Sequence, residues 1–256
     1  MTYQNSSVYR AVVFLFLLLM AAPAFSAEQV DFLDDDFYMD EQESTAAEDP
    51  IEPFNRAIFE FNDSAYTYLL KPLATGYSAV VPTDIRGCVW NFFRNLEEPL
   101  RFVNCILQGR FEESMWVLSR FAINSVAGVF GLGNPATREF GIPMIDASLG
   151  ETLATWGVGD GFYLVVPFYG STTFRDITGT VVDAMTMSPY YFWSDDYLTL
   201  GAIYAGKEVN KLSLYLNVYD DLKKLSFDPY VALRNSYFQN RKKIRDHKDF
   251  QVDFQL

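Results

Sequence analysis

The chain has 256 residues, half of them hydrophobic and 17% aromatic, with 33 acidic groups against 20 basic and a formal net charge of −13. That length and apolar content support one sizeable core in one domain. The acidic balance, with no basic stripe of the needed density, excludes nucleic acid as a partner.

From the N-terminus, Arg10 precedes an apolar run of 12 residues, Ala11 to Ala22, and small residues follow at Ala22-Pro23-Ala24 and Ala24-Phe25-Ser26. Residues 1–26 therefore match a cleavable secretory signal peptide, too short to span a bilayer comfortably; an uncleaved anchor is the alternative. Residues 27–48 form an acidic leader. Residues 28–52 hold 11 acidic groups and no basic one, whereas residues 53–256 hold 22 acidic and 19 basic. The charge excess thus belongs to one segment, whose polar composition is that of a solvated, disordered stretch.

Helical signals dominate residues 49–248. Phe54, Ile58, Phe61, Ala65 and Tyr68 follow the rhythm of one helix face, with Pro53 in the first turn. Thr83 and Asp84 can cap a second helix to about Asn95, and Glu98-Pro99 opens a third to about Gln108, which places a corner at Asn95 to Pro99. Such a hairpin would bring Cys88 and Cys105 together in an oxidising compartment; a bridge and two free buried thiols both remain open. Glu112 starts a longer helix whose second half has no clean polar face, as expected of a helix deeply buried or facing lipid. It ends at Gly128-Val129-Phe130-Gly131-Leu132-Gly133-Asn134-Pro135, which predicts either an apolar tip or a tight turn between buried helices.

Ser148 and Glu151 form a capping-box pattern for a short helix to Trp156. Gly157 to Gly161 fits a turn. Phe162 to Tyr169 has strand-like composition, but Pro167 and the lack of convincing strand partners predict an extended buried segment. Ser171 or Thr172 caps a helix to about Met187, Asp195-Asp196 opens another reaching Leu222, and Asp228-Pro229 opens the last. That helix ends among Arg241, Lys242, Lys243 and Arg245, where cations suit its dipole. Residues 249–256 form a tail. The fold class is all-α, one compact helical domain with no run long enough for a simple membrane-spanning helix beyond the signal.

Catalytic constellations are missing from the sequence. The sole His is His247, near the C-terminus, and there is no zinc, P-loop or nucleophile-elbow motif. Glu97/Glu98 and Asp195/Asp196 are carboxylate pairs at expected helix starts, where acidic residues are ordinary. An enzyme is therefore not expected, and no cofactor.

Eight short motifs follow one another in order: Asp49-Pro50-Ile51-Glu52-Pro53-Phe54-Asn55-Arg56, Phe59-Glu60-Phe61-Asn62, Asn95 to Pro99, Arg120-Phe121-Ala122-Ile123-Asn124, Gly157-Val158-Gly159, Pro167 to Ser171, Arg175-Asp176 and Asp228-Pro229-Tyr230. Over roughly Asp49 to Arg245 the chain resembles the MlaA (VacJ) family of outer-membrane phospholipid-transport proteins. The resemblance implies a ring-like helical domain with a central amphipathic channel, lodged in the inner leaflet of the outer membrane. It further implies association with a porin trimer, and passage of phospholipid strayed into the outer leaflet to a soluble periplasmic lipid carrier. Phospholipid is then a transported ligand. Many members carry an acylated N-terminal Cys. Here no Cys precedes Cys88, so retention without acyl chains is expected. On this reading Val126, Phe130 and Leu132 form a mobile apolar lip with Gly128, Gly131 and Gly133 as its hinge. Phe162, Leu164, Phe168 and Tyr169 line or brace the path, and Arg175 with Asp176 makes a structural ion pair or cap. The alternative is a periplasmic scaffold of an outer-membrane assembly that conducts no lipid.

Overall fold

The computed structural model describes residues 49–186 and 196–245. The expected signal peptide, leader and C-terminal tail, with Met187, Asp195 and His247, lie outside the described residues.

Helix α1 (Glu52–Ala65) begins with Pro53 in its first turn and continues through a widened turn, Tyr66–Leu70, into α2 (Lys71–Val80). The widening has a local cause. Pro72 has no N–H and its ring crowds the carbonyl four residues back, so the chain closes a longer loop, with the Lys71 N–H bonded to the Tyr66 carbonyl. The apolar stripe at Phe54, Ile58, Phe61, Ala65 and Tyr68 is helical as expected, but Phe54, Phe61 and Tyr68 are exposed, while Asn55 and Asn62 are the buried members of α1.

The corner expected at Asn95 to Pro99 does not exist. Thr83–Leu107 is one helix, α3, with Pro99 inside it. A proline here costs a ladder bond, and tertiary contacts offset the loss. Arg101 donates to the Arg94 carbonyl at 2.9 Å and to Glu97 at 2.9 Å. Lys207 also pairs with Glu97, and Glu98 meets Arg120 at 3.3 Å. Glu97 and Glu98 are mid-helix groups, not helix-start caps. The correction extends to the cysteines. Seventeen residues apart on one helix, they are separated by about 25 Å. They form no bridge with each other, and Cys105 packs with Val117, Ile145 and Ala147.

Helix α4 (Phe111–Val126) runs antiparallel to α3, as the pairings Asn91 to Leu132, Asn95 to Ser125 and Glu98 to Arg120 require. A loop and one turn, α5 (Pro135–Arg138), lead to α6 (Leu149–Thr155), which opens on the expected capping box. The segment read as merely extended is half of a hairpin: β1 (Tyr163–Val166) pairs antiparallel with β2 (Gly170–Thr173), Val165 opposite Ser171. Its partner was hidden because Ser171 and Thr172 resemble helix caps. The cap of α7 (Phe174–Thr186) is instead Thr173, whose hydroxyl accepts from the Asp176 N–H.

The helix expected to reach Leu222 is two, α8 (Tyr197–Leu214), capped by Asp196, and α9 (Leu216–Leu225), with a break at Tyr215. Helix α10 (Pro229–Arg245) starts as expected, its first N–H groups bonded to Asp228. The fold is all-α apart from the hairpin. Among the described residues, most of the buried hydrophobic side chains fall into small clusters around Tyr66, Cys105 and Tyr163. No helix among the described residues is long and apolar enough to cross a membrane.

Candidate functional site

Helix α4 shows the governing feature of the molecule most clearly. Ser114, Val117, Arg120 and Asn124 point inward and are buried. Phe111, Met115, Leu118 and Val126, at the complementary helical spacing, are exposed at 66%, 56%, 41% and 84%. This is amphipathicity turned inside out: the charged and amide groups are inside and the apolar face has no protein cover. Water does not favour that arrangement, because each uncovered side chain forgoes about 1.5–3 kcal/mol of burial. Contact with hydrocarbon restores it. The α1–α2 run and α7 share the pattern, with Tyr68, Leu69, Leu73 and Val80 of the former and Phe174, Val182 and Met185 of the latter all exposed.

At the end of α4 the chain turns over the residues singled out in the sequence. Val126, Phe130 and Leu132 come together on one loop, with Val129, and all four are exposed. The loop is built, not slack. The N–H groups of Phe130, Gly131 and Gly133 bond to the carbonyls of Ser125, Asn124 and Gly128 at 2.8–2.9 Å. Val129 and Phe130 hold left-handed φ values of 53° and 58°, a strained choice for a β-branched and a bulky residue. Gly131, at φ 89°, passes so near α3 that a Cβ would lie 2.5 Å from Cβ of Asn95. Close packing, therefore, requires glycine there, and at Gly128 for the same reason.

Under the loop lies a buried polar cluster. The Arg120 guanidinium donates to the Thr137 hydroxyl at 2.7 Å and the Ile142 carbonyl at 2.8 Å, and pairs with Glu98. Burial lowers its basicity and Glu98 counters the effect. The Asn124 carboxamide accepts from the Ala136 N–H at 3.0 Å. Helices α3 and α4 and the loop are thus joined by polar bonds where an ordinary soluble protein would use aliphatic packing.

The hairpin rests on different supports. Asn55 accepts from the Val165 N–H at 2.8 Å and donates to the Tyr163 carbonyl at 3.0 Å. Asn62 does the same for Phe168 and Val166 at 2.7 and 3.0 Å. Two carboxamides seven residues apart on α1 therefore serve the strand edge as a third strand would. Phe168, at φ 61°, lies edge-on to Phe61. Phe162 stacks on Phe174, Leu164 is half-buried, and the Tyr169 hydroxyl meets Thr180 at 3.1 Å. The lip and path residues of the sequence reading are thus two groups on separate scaffolds.

Arg175 and Asp176 form the expected internal ion pair at 2.8 Å. Arg241, expected as a dipole partner, is instead a half-buried tie from α10 to Glu151 at 2.6 Å and Asp176 at 3.0 Å. The Tyr237 hydroxyl donates to Asp176, and burial lifts its phenol to about 12. No cluster of metal-ligating side chains occurs among the described residues. The site residues that sequence reasoning missed are Asn55, Asn62, Asn95, Arg120 and Asn124. Their signal was polar groups recurring on otherwise apolar helices, inside the motifs already quoted.

The family model described as "MlaA lipoprotein" matches residues 47–244. The chain is similar to a Haemophilus influenzae "intermembrane phospholipid transport system lipoprotein MlaA", 34% identical over 213 residues, which cover 82% of this chain and 84% of that one. It is similar to the Escherichia coli protein of the same description, 34% identical over 198 residues, covering 75% and 76%. A solved structure described as the structural basis for maintenance of bacterial outer membrane lipid asymmetry aligns with a TM-score of 0.68 at 32% identity, covering 77% of this chain and 99% of that one.

Proposed function

We propose a function from one premise, that the chain belongs to the MlaA family. It is a component of phospholipid transport at the outer membrane and not an enzyme. It takes phospholipid that has strayed into the outer leaflet, passes it through an amphipathic channel within the helical domain, and hands it to a soluble periplasmic carrier. A porin trimer supports it in the membrane, and lipid asymmetry is the result.

One observation carries this reading: many large apolar side chains face outward while charged and amide side chains share the interior with a small apolar core. A phospholipid with about 30 methylenes would expose on the order of 20 kcal/mol of apolar transfer free energy if it crossed water unprotected. Its route therefore needs hydrocarbon-compatible walls and a polar accommodation for the headgroup. A protein with an apolar outside and a polar inside supplies both. In this account Val126, Phe130 and Leu132 form the lip in contact with acyl chains, with Gly128, Gly131 and Gly133 as the segment about which it moves. Phe162, Leu164, Phe168 and Tyr169 brace or line the path. The apolar exterior helps to retain the protein in the leaflet.

The test is to purify the mature protein from envelopes in mild detergent and identify co-purifying lipid by mass spectrometry, beside a Phe130→Asp, Leu132→Asp double variant. Bound phospholipid that the variant loses supports conduction past the lip. A native protein recovered from the periplasmic fraction without lipid sinks the transport reading and leaves the non-conducting scaffold.

A further inference from the structure

Helix α8 crosses α2 and α3 through polar contacts: Asn210 accepts from the Tyr77 hydroxyl and donates to the Arg86 carbonyl, and Lys207 pairs with Glu97. Between these anchors sits Glu208, a residue only 8% exposed whose Oε2 is shielded from solvent and has no hydrogen-bond partner. A buried carboxylate oxygen left open costs free energy that folding alone does not require. Three residues on, Lys211 has no ion-pair partner among the described residues; its ammonium lies over the Trp90 ring, 5.6 Å from the centroid. Residues at this spacing are neighbours on a helix surface, about 5–6 Å apart at Cβ, and an acid and a base so placed ordinarily pair. Here no ion pair is made: the Glu208 Oε2 stays without a partner and the Lys211 ammonium sits on the Trp90 ring. Lys207, the other near cation, is already committed to Glu97.

Burial raises the Tyr169 phenol above its ordinary range. Burial likewise raises the Glu208 carboxyl, against the pull of Lys211 and Lys207. A second cation beside it would favour the ionised form.

We propose that Glu208 and Lys211 form a headgroup site for an amine-bearing zwitterionic phospholipid, the ethanolamine ammonium on the Glu208 carboxylate and the phosphate on the Lys211 ammonium. The site rests on the transport reading given above and adds a headgroup preference to it. A two-carbon spacer separates amine from phosphate in such a headgroup, which suits charges one helical turn apart. Phosphatidylglycerol has the phosphate but no ammonium, and would leave Glu208 open.

The test offers the full-length protein vesicles of phosphatidylethanolamine and phosphatidylglycerol in equal amounts, and mass spectrometry reads the ratio of the two lipids taken up. The native protein is expected to favour the ethanolamine lipid. Glu208→Gln lowers that ratio by about fivefold, since a charge-assisted bond is replaced by a neutral one. Glu208→Asp, which keeps the charge, preserves the preference, and Lys211→Gln lowers uptake of both lipids together. Lipid uptake with an unchanged ratio in Glu208→Gln overturns the headgroup site and leaves transport standing. No uptake of either lipid by the native protein overturns both.

Discussion

Two strained turns, one at the end of α4 and one between β1 and β2, solve the same backbone problem in opposite ways. Phe168 in the hairpin holds a left-handed φ of 61°, and its N–H is bonded to Asn62 while its ring lies 5.2 Å from that of Phe61. Val129 and Phe130 hold φ of 53° and 58°, and their backbone is bonded too, but their side chains are 62% and 77% exposed. The hairpin offsets its strain with contacts inside the protein. The tip spends strain to project apolar groups away from it, which is stabilising only where the surroundings are themselves apolar. Strain alone therefore does not mark function; strain whose product is an uncovered apolar side chain does.

The comparison breaks first at the platform under the tip. Arg120→Ala leaves buried Glu98 with only Arg101, 3.9 Å away, and should destabilise the fold by about 3 kcal/mol, read from denaturant unfolding in detergent. Next, Asn62→Ala removes two bonds to the hairpin edge and should cost about 2 kcal/mol, with faster hydrogen exchange at the Phe168 amide and little change at the tip. Phe168→Gly relieves the left-handed strain but loses the contact with Phe61, and a net loss of about 1 kcal/mol is expected. Val129→Gly has the opposite sign. With no packing to lose, it should raise stability in detergent by about 1 kcal/mol while weakening attachment to vesicles. Equal signs for these two glycine variants would show that the turns are not different in kind.

Much of the helical layout was legible because helix starts are written locally. Ser148 with Glu151, Asp196 and Asp228-Pro229 cap helices where the sequence put them. A proline misled: Pro99 suggested a corner that Arg101, Lys207 and Arg120 override from neighbouring turns and distant helices. The hairpin was missed because its second strand is Gly170 to Thr173, a composition that signals a helix cap as readily as a strand. For the site, the apolar stripe of α1 was legible but its direction was not. Hydrophobic period alone cannot say whether a stripe faces a core or a bilayer. Buried Asn55 and Asn62 show that it faces away from the core, and their roles depend on a hairpin more than a hundred residues away.

The central claim is that the uncovered apolar face of α4 lies in lipid. A photo-crosslinking amino acid placed at Met115, irradiated in intact envelopes, tests it most directly. The account predicts adducts whose added mass is that of phospholipid. Adducts with protein alone, or labelling by water, would contradict it.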